Sequence, residues 1–169
     1  MVRCEWREIG AMVYDIIDSL IDILANEAGL SEVQSYQKVI GVPPQAGLGI
    51  GIGCDKIIYC SNTRDSDKAK ANILVYIYAD NPEPELAEAK LHAVAETVRY
   101  CINENSGLAG QLLSCSVDYI EFPDAGASGT ALWHRAIMHL NAKYMAGRKR
   151  ALLAVEAVET INNDTDEID

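Results

Sequence analysis

The chain has 169 residues, 49 % of them hydrophobic and 23 % charged, a composition typical of one soluble globular domain with a sizeable core. The net charge is −11 and only Arg148, Lys149 and Arg150 form a basic cluster, which argues against a nucleic-acid-binding surface, because phosphate contacts require clustered Lys and Arg. Apolar runs are too short for a membrane-spanning helix, and acidic residues interrupt the N-terminal stretch, so we expect neither a membrane anchor nor a secretory signal.

The cysteines argue against a metal centre. Cys4, Cys54, Cys60, Cys101 and Cys115 show no CxxC spacing and have no His at metal-ligand intervals. Cys101 falls on the apolar stripe of a predicted helix and Cys115 on the apolar face of a predicted strand, where cysteine behaves as a small buried hydrophobe. We therefore expect reduced thiols in a cytosol, with no metal and no cofactor.

The first half of the chain predicts one helix followed by strands. Apolar residues recur at helical spacing over residues 8–28 and predict the first helix, which ends near Gly29. Residues 31–40 predict a strand, and Pro43 and Pro44 then impose an extended loop. Glycine alternates with apolar residues over 47–53 without the GxGxxG order of a nucleotide loop. We interpret this segment as a strand with one face of bare backbone, which invites close approach by another element.

The middle of the chain predicts a covered strand that leads into a second helix. Residues 54–61 continue the glycine-rich strand, and residues 62–70 form a polar connector or a hairpin tip. Residues 71–79 are apolar on both faces, as in a central strand. Asn81 and Pro82 start a helix that runs to about residue 105. Its predicted buried stripe consists of Leu86, Leu91, Val94, Ala95, Val98, Cys101 and Ile102.

Two period-two segments, 112–122 and 131–145, predict a long antiparallel hairpin with its turn at 123–129. Leu113, Cys115, Val117 and Tyr119 form the apolar face of the first arm. At about 3.3 Å per residue the second arm spans roughly 50 Å, which exceeds the width of a compact globule of this length. It must bend, protrude or pair with something else. Because exposed strand backbone is a template for another chain, the hairpin favours assembly.

The second arm has a core face, from Leu132 to Tyr144 at alternate positions, and a mixed face. The mixed face combines residue types that are enriched at protein interfaces, namely Trp133, Arg135, Ile137, His139 and Lys143. We predict that these five residues lie at a subunit interface or face the lumen of an assembly; the alternative is an ordinary solvated sheet face. A two-His metal site is disfavoured because His134 and His139 are five residues apart and point to opposite sides of a regular strand.

The C-terminal segment supplies much of the negative charge. Residues 151–169 contain six Asp and Glu and no Lys or Arg, which accounts for −6 of the −11. We predict a single α+β domain over residues 1–150, followed over 151–169 by a short helix and an acidic, flexible tail. Arg148, Lys149 and Arg150 are candidate residues for docking a partner, and the acidic tail is a candidate for docking onto a basic neighbour.

The order of these elements resembles the tail terminator and tail-completion (neck) proteins of long-tailed bacteriophages. Three segments carry the resemblance: IGAMVYDIIDSLIDIL over 9–24, ILVYIYADNPEPEL over 73–86 and ALWHRAIMHLNAKY over 131–144. The resemblance implies a small α+β subunit with a largely antiparallel β-sheet, a long C-terminal hairpin and two main helices packed on one side. It also implies a ring, typically a hexamer, on the last ring of the tail tube.

Such a ring stops tube polymerisation and joins the tail to the head. The implied partners are the tail-tube protein and a head-completion or connector protein, with DNA only passing through the lumen, and the implied location is the virion, with assembly in the host cytoplasm. A lumen crossed by DNA should be acidic or neutral, which the net charge permits.

Two alternatives stay open beside the terminator: a head-tail connector or stopper, and, more distantly, a small cytosolic α+β enzyme. The chain has no Walker loop, dinucleotide fingerprint or EF-hand, so we expect no enzymatic activity. A deep pocket that holds His134, or a cysteine beside a carboxylate, would instead favour the enzyme.

Overall fold

Two helices pack against one face of a six-stranded sheet, and this arrangement confirms the predicted α+β class. The computed structural model describes residues 7–44, 47–63, 66–80, 83–128 and 131–147. Residues 148–169, which include the predicted short helix and acidic tail, lie outside the described residues. The elements are α1 (Arg7–Ala25), β1 (Ser35–Gln37), β2 (Leu48–Ser61), β3 (Ser66–Asp80), α2 (Pro84–Glu104), β4 (Ser114–Glu121), β5 (Gly126–Ser128) and β6 (Ala131–Gly147).

The sheet has the strand order β1-β2-β3-β6-β4, and β5 also pairs with β6. Only β1 and β2 are parallel; all other neighbours are antiparallel, as expected. Strand β3 is central, in agreement with the prediction that residues 71–79 form a covered strand. Its helix-facing residues lie opposite those of β6, with Ile73 beside Leu140 and Val75 beside Met138, and all four side chains are fully buried.

The long C-terminal hairpin is present, and its second arm, β6, extends over 17 residues. Strand β6 pairs with β3 from Trp133 to Gly147 and with β4 from Ile137 to Lys143. Of the three options for this arm, the structure shows pairing with other elements of its own chain, on both sides over Ile137–Lys143, so this stretch offers no free backbone to another chain. The turn is also shorter than predicted. Strand β5 pairs with the first residues of β6, so the segment predicted as the turn, 123–129, contains a short strand.

A β-bulge changes the predicted face of the first arm. The register between β4 and β6 shifts between Val117 and Tyr119. Beyond this shift, Tyr119 lies opposite His139 and Ile120 lies opposite Met138. A bulge inserts one extra residue and reverses the side-chain alternation that follows it. Tyr119 is therefore 51 % exposed, and Ile120 packs against the core in its place. Leu113, also assigned to the apolar face, precedes β4 and is exposed.

The helices supply the other half of the core. The predicted stripe of α2 is buried from Leu91 to Ile102, but Leu86 is exposed and Ala87 is buried instead. The predicted start of this helix is two residues early, since Glu83 is the N-cap and Pro84 occupies the first turn. Proline suits that position because its missing N–H has no helical partner there.

The glycine face of β2 is covered by the segment that follows β1, which agrees with the predicted close approach. Strand β1 is only three residues long, shorter than the predicted strand over 31–40, because the chain then crosses over β2. A Cβ atom at Gly51 would lie 2.5 Å from the carbonyl oxygen of Val39, and one at Gly53 would lie 2.8 Å from Cγ2 of Ile40. Only glycine permits this packing.

Candidate functional site

The sheet has a second face, opposite the helices, which we call the open face. All five residues predicted for the interface lie on this face of β6, because alternate residues of a strand share a face. Their exposure differs. Trp133 is 5 % exposed, Lys143 is exposed, and the other three side chains, Arg135, Ile137 and His139, are half-buried. The structure thus brings the set together, but Trp133 is already packed within the subunit.

Aromatic side chains from neighbouring strands complete the open face. The ring of Trp133 meets Tyr78 edge-on at 6.5 Å between centroids, and Tyr76 stacks on Tyr78 at 5.9 Å. His139 stacks on Tyr119 at 4.1 Å. The three tyrosines were not predicted as part of this surface. Tyr76 and Tyr78 alternate in the sequence, but the strand is apolar on both faces, and the bulge that brings Tyr119 here leaves no local signal.

Three polar atoms on the open face of β6 are buried without a hydrogen-bond partner in the part of the chain that the structure describes. They are Nε of Arg135, Nε2 of His139 and Oδ1 of Asn141. The nearest acidic group to His139 is Oε1 of Glu121, 3.7 Å from Nε2, which is too long for a hydrogen bond. An unsatisfied buried polar group costs about 1–3 kcal/mol. If another molecule bound to the open face, small side-chain rotations would let these three atoms form hydrogen bonds with it, and the cost would fall.

Four lysines gather on the open face at the end where β6 finishes, and we call them the lysine patch: Lys56, Lys68, Lys70 and Lys143. Lys70 lies directly opposite Lys143. Within the described residues, none of the four has a carboxylate within 4 Å. The overall charge of −11 therefore does not describe this face. The expected acidic or neutral lumen of a ring stays a prediction. Register between distant strands, not composition, places these lysines together.

In a full-length background whose six carboxylates over residues 156–169 are replaced by amides, Lys143→Glu is expected to stabilise the fold by about 0.5 kcal/mol, because it replaces a like-charge cross-strand pair with an opposite-charge pair. The free energy of unfolding, measured with urea at low salt, checks this. The gain should shrink at about 1 M salt, where charges a few ångströms apart are screened. Lys90→Glu is the control and should lose stability instead, since Lys90 already pairs with Glu32 at 2.7 Å. A destabilised Lys143→Glu variant would contradict the expectation.

An open groove of about 560 Å³ lies between α1 and the edge of β2. Its wall includes Cys54 and Asp55, a thiol beside a carboxylate. Burial raises the pKa of the Cys54 thiol above its ordinary value, and its Sγ lies 3.7 Å from the carbonyl oxygen of Lys56. Among the described residues that line the groove there is no histidine, the base that commonly activates a nucleophilic thiol. Across the described residues, no group of three or more His, Cys, Asp or Glu is placed to hold a metal ion.

The thiols should differ sharply in reactivity. Burial raises the pKa of both Cys101 and Cys115 to about 11, which leaves about one thiolate in a thousand at pH 8. Cys60 is exposed. Iodoacetamide on the folded protein, followed by mass spectrometry, should therefore modify Cys60 and spare Cys101 and Cys115. Modification of all three at equal rates would contradict the buried assignment, and unfolding in urea provides the positive control.

The remaining candidate residues fall into two groups. His134 lies on the helix-facing side of β6, opposite Ala79, and is 6 % exposed, so His134 and His139 occupy opposite faces as predicted. His134 is thus buried in the subunit and does not line the groove. Arg148, Lys149 and Arg150 lie outside the described residues.

Comparisons with known proteins find similarity among solved structures. Neither a protein-family model nor a curated protein matches the chain. In the described helices, no segment combines the length and apolar character of a bilayer crossing. Among solved structures, the chain is similar to a component of the virion of a native gene transfer agent particle, with 15 % identity, a TM-score of 0.49, and coverage of 80 % of this chain and 98 % of that chain.

Proposed function

We propose that this chain is a structural virion protein, a tail terminator that forms a homo-oligomeric ring, typically a hexamer, at the head-proximal end of a phage tail tube. One observation carries the proposal: the sheet ends in two different strands, each with one unpaired side among the residues described. Strand β4 pairs only with β6, and β2 pairs only with β3 beyond Gly51, where β1 stops.

Two unlike edges allow one copy to extend the sheet of the next. Strands β2, β3, β6 and β4 alternate in direction across the sheet. If β4 of one copy lies beside β2 of the next, the antiparallel pattern continues and all helices stay on the same side. A contact between two different surfaces is heterologous, and it forms a ring when successive rotations close. The two unlike edges are thus compatible with the heterologous contact on which a ring is built.

The side chains at the two edges also favour a partner. Tyr119 in β4 is 51 % exposed, and Ile58 and Tyr59 in β2 are each 44 % exposed. An edge strand with exposed apolar side chains tends to pair with another chain, so a monomeric protein usually protects it. Pairing β4 with β2 would cover these side chains together with the unpaired backbone.

Support for the phage neck comes from the order of the elements. The fold has the initial helix, the central strand that leads into the second helix, and the long closing strand of the three segments that resemble tail terminators. The ring would stop tube polymerisation and join the tail to the head, with the tail-tube protein and a head-completion protein as partners and DNA only as passing cargo. The open face, with Arg135, Ile137, His139 and Lys143, would lie at a subunit contact or face the lumen.

Tyr119→Lys is expected to convert the ring into a monomer, because it places a charge on the edge of β4 and removes an apolar contact. Size-exclusion chromatography with light scattering measures the mass. Tyr100→Lys is the matched control, since Tyr100 is 62 % exposed on α2 and not in an edge strand, and this variant should keep the ring. A monomeric wild-type protein would contradict the ring itself; an intact ring in Tyr119→Lys would contradict the edge contact.

The position in the virion is tested by electron microscopy of the purified protein mixed with tail tubes and with emptied heads. Rings that cap tube ends are the expected result for a terminator. Particles attached only to emptied heads would replace that assignment with the connector or stopper. Rings that bind neither structure would contradict a role at the neck.

A further inference from the structure

We infer that the lysine patch is the docking site for the acidic C-terminal segment of the same chain, residues 156–169. The patch is a regular array, because three adjacent strands place their open-face residues in register. Its rows are Lys56-Asn72-Asn141, Ile58-Lys70-Lys143 and Cys60-Lys68-Met145. Neighbouring strands are about 4.8 Å apart and rows about 7 Å apart, so the array measures roughly 10 by 14 Å.

The patch needs a counter-charge that the described residues do not provide. Direct opposition of like charges across a strand pair is unfavourable, and Lys70 and Lys143 stand in that relation. The carboxylate of Asp55, next to Lys56 in the sequence, accepts a hydrogen bond from the Asn72 side chain at 3.2 Å. The four ammonium groups have no carboxylate within 4 Å in the described chain. An acidic segment would remove this repulsion.

Residues 156–169 have the matching charge and composition. They carry six carboxylates and no Lys or Arg, namely Glu156, Glu159, Asp164, Asp166, Glu167 and Asp169. Val158 and Ile161 accompany these acids in the sequence. The patch likewise places Ile58 and Met145, which are 44 % and 36 % exposed, beside its lysines. The segment and the patch therefore complement each other in charge and in apolar surface.

The segment begins close enough to reach the patch of its own subunit. Strand β6 ends at Gly147, two residues beyond Met145 in the last row of the patch. Lys143 lies about 13 Å back along the strand, and the nine-residue connection to Glu156 extends to about 30 Å. A short tether gives an effective concentration in the millimolar range. At micromolar protein concentrations, the subunit's own segment thus outcompetes that of a second copy.

Docking of this segment has a consequence for the open face. Six carboxylates over four ammonium groups would convert the lysine patch into a neutral or acidic surface. Other polyanions, such as DNA phosphates, would then meet no free lysine cluster. This consequence holds for a monomer and for a ring, so docking does not depend on the proposed assembly.

Lysine acetylation of the full-length chain tests the docking. The wild type is compared with a full-length variant in which the six carboxylates are replaced by amides, using an N-hydroxysuccinimide acetate ester and mass spectrometry. Lys70 and Lys143 should react at least about threefold faster in the amide variant than in the wild type at low salt. The wild type should show the same increase at about 1 M salt, where the pairing is screened. Lys90 on α2, which pairs with Glu32, is the internal control for the amide variant, and its acetylation rate should not change.

Two results would overturn the inference. Equal acetylation of Lys70 and Lys143 in the wild type and the amide variant would show that the segment does not cover the patch. Protection that increases over a roughly 100-fold rise in protein concentration would assign the segment to a second copy, because docking within one subunit is independent of concentration. The ratio of acetylation rates between the amide variant and the wild type reports docking in a monomer and in a ring alike. An unchanged ratio would therefore contradict docking without contradicting ring formation.

Discussion

Gly51→Ala is expected to destabilise the fold by about 3 kcal/mol, because overpacking of a rigid contact costs about 1–3 kcal/mol and a backbone atom yields least. The added Cβ would lie 2.5 Å from the carbonyl oxygen of Val39. To relieve this clash, the segment that covers the glycine face must move as a whole. We expect a lower midpoint of urea unfolding with an unchanged slope.

The control for this variant is Gly126→Ala. Gly126 also lies in a strand, but a Cβ there would meet no atom within 4 Å. Both substitutions reduce the entropy of the unfolded chain by a similar amount, so the difference between them isolates the steric clash. If the two variants unfold at the same urea concentration, the covering segment is not packed on β2 as described.

Trp133→Ala is expected to lower the free energy of unfolding by about 3–5 kcal/mol, since a large buried aromatic side chain is lost. Trp133 is 5 % exposed and contacts Tyr78, itself 3 % exposed, in an edge-to-face pair. Because Trp133 is packed in its own subunit, truncating it tests folding rather than the predicted interface. Any loss of assembly in Trp133→Ala would follow from loss of folding.

Tyr100→Ala provides the comparison for Trp133→Ala. Tyr100 is 62 % exposed, so its removal should cost less than about 1 kcal/mol. Thermal unfolding of both variants measures the contrast. Equal losses would mean that Trp133 is not part of the subunit's own core.

The interface hypothesis for the open face is better tested at Arg135 and Lys143. Arg135→Ala with Lys143→Ala should leave the fold intact, because Lys143 is exposed and Arg135 is half-buried with its own Nε lacking a hydrogen-bond partner among the described residues. If the open face lies at a subunit contact, light scattering should show loss of the ring. An intact ring with this double variant would remove both residues from the subunit contact.

Local patterns predicted the elements well where one face of an element is buried. The alternation in β6 placed Ala136, Met138, Leu140, Ala142 and Tyr144 in the core, and all five are buried. Alternating glycine in β2 predicted an approach by another element, which the structure shows. Both predictions succeeded because side-chain period and the missing Cβ are properties of neighbouring residues.

The candidate site was only half predictable. The five open-face residues of β6 share a face because they alternate on one strand, and this could be read from the sequence. The burial of Trp133 could not be read from the sequence, since it depends on Tyr78 from a strand far away in the chain. The exposure of Tyr119 also escaped prediction, because a single extra residue at the bulge reverses the face without a change in local pattern.

The sequence by itself determined the two amphipathic helices, the glycine-rich strand, the central apolar strand and the long period-two arm, because each follows from side chains spaced a few residues apart. Tertiary structure alone decided that β6 pairs inside the sheet, that two unlike edges remain, and that Lys70 meets Lys143 in a basic patch on an acidic protein. Pairing register between distant strands depends on the packing of the whole sheet against its helices, and no local pattern encodes it.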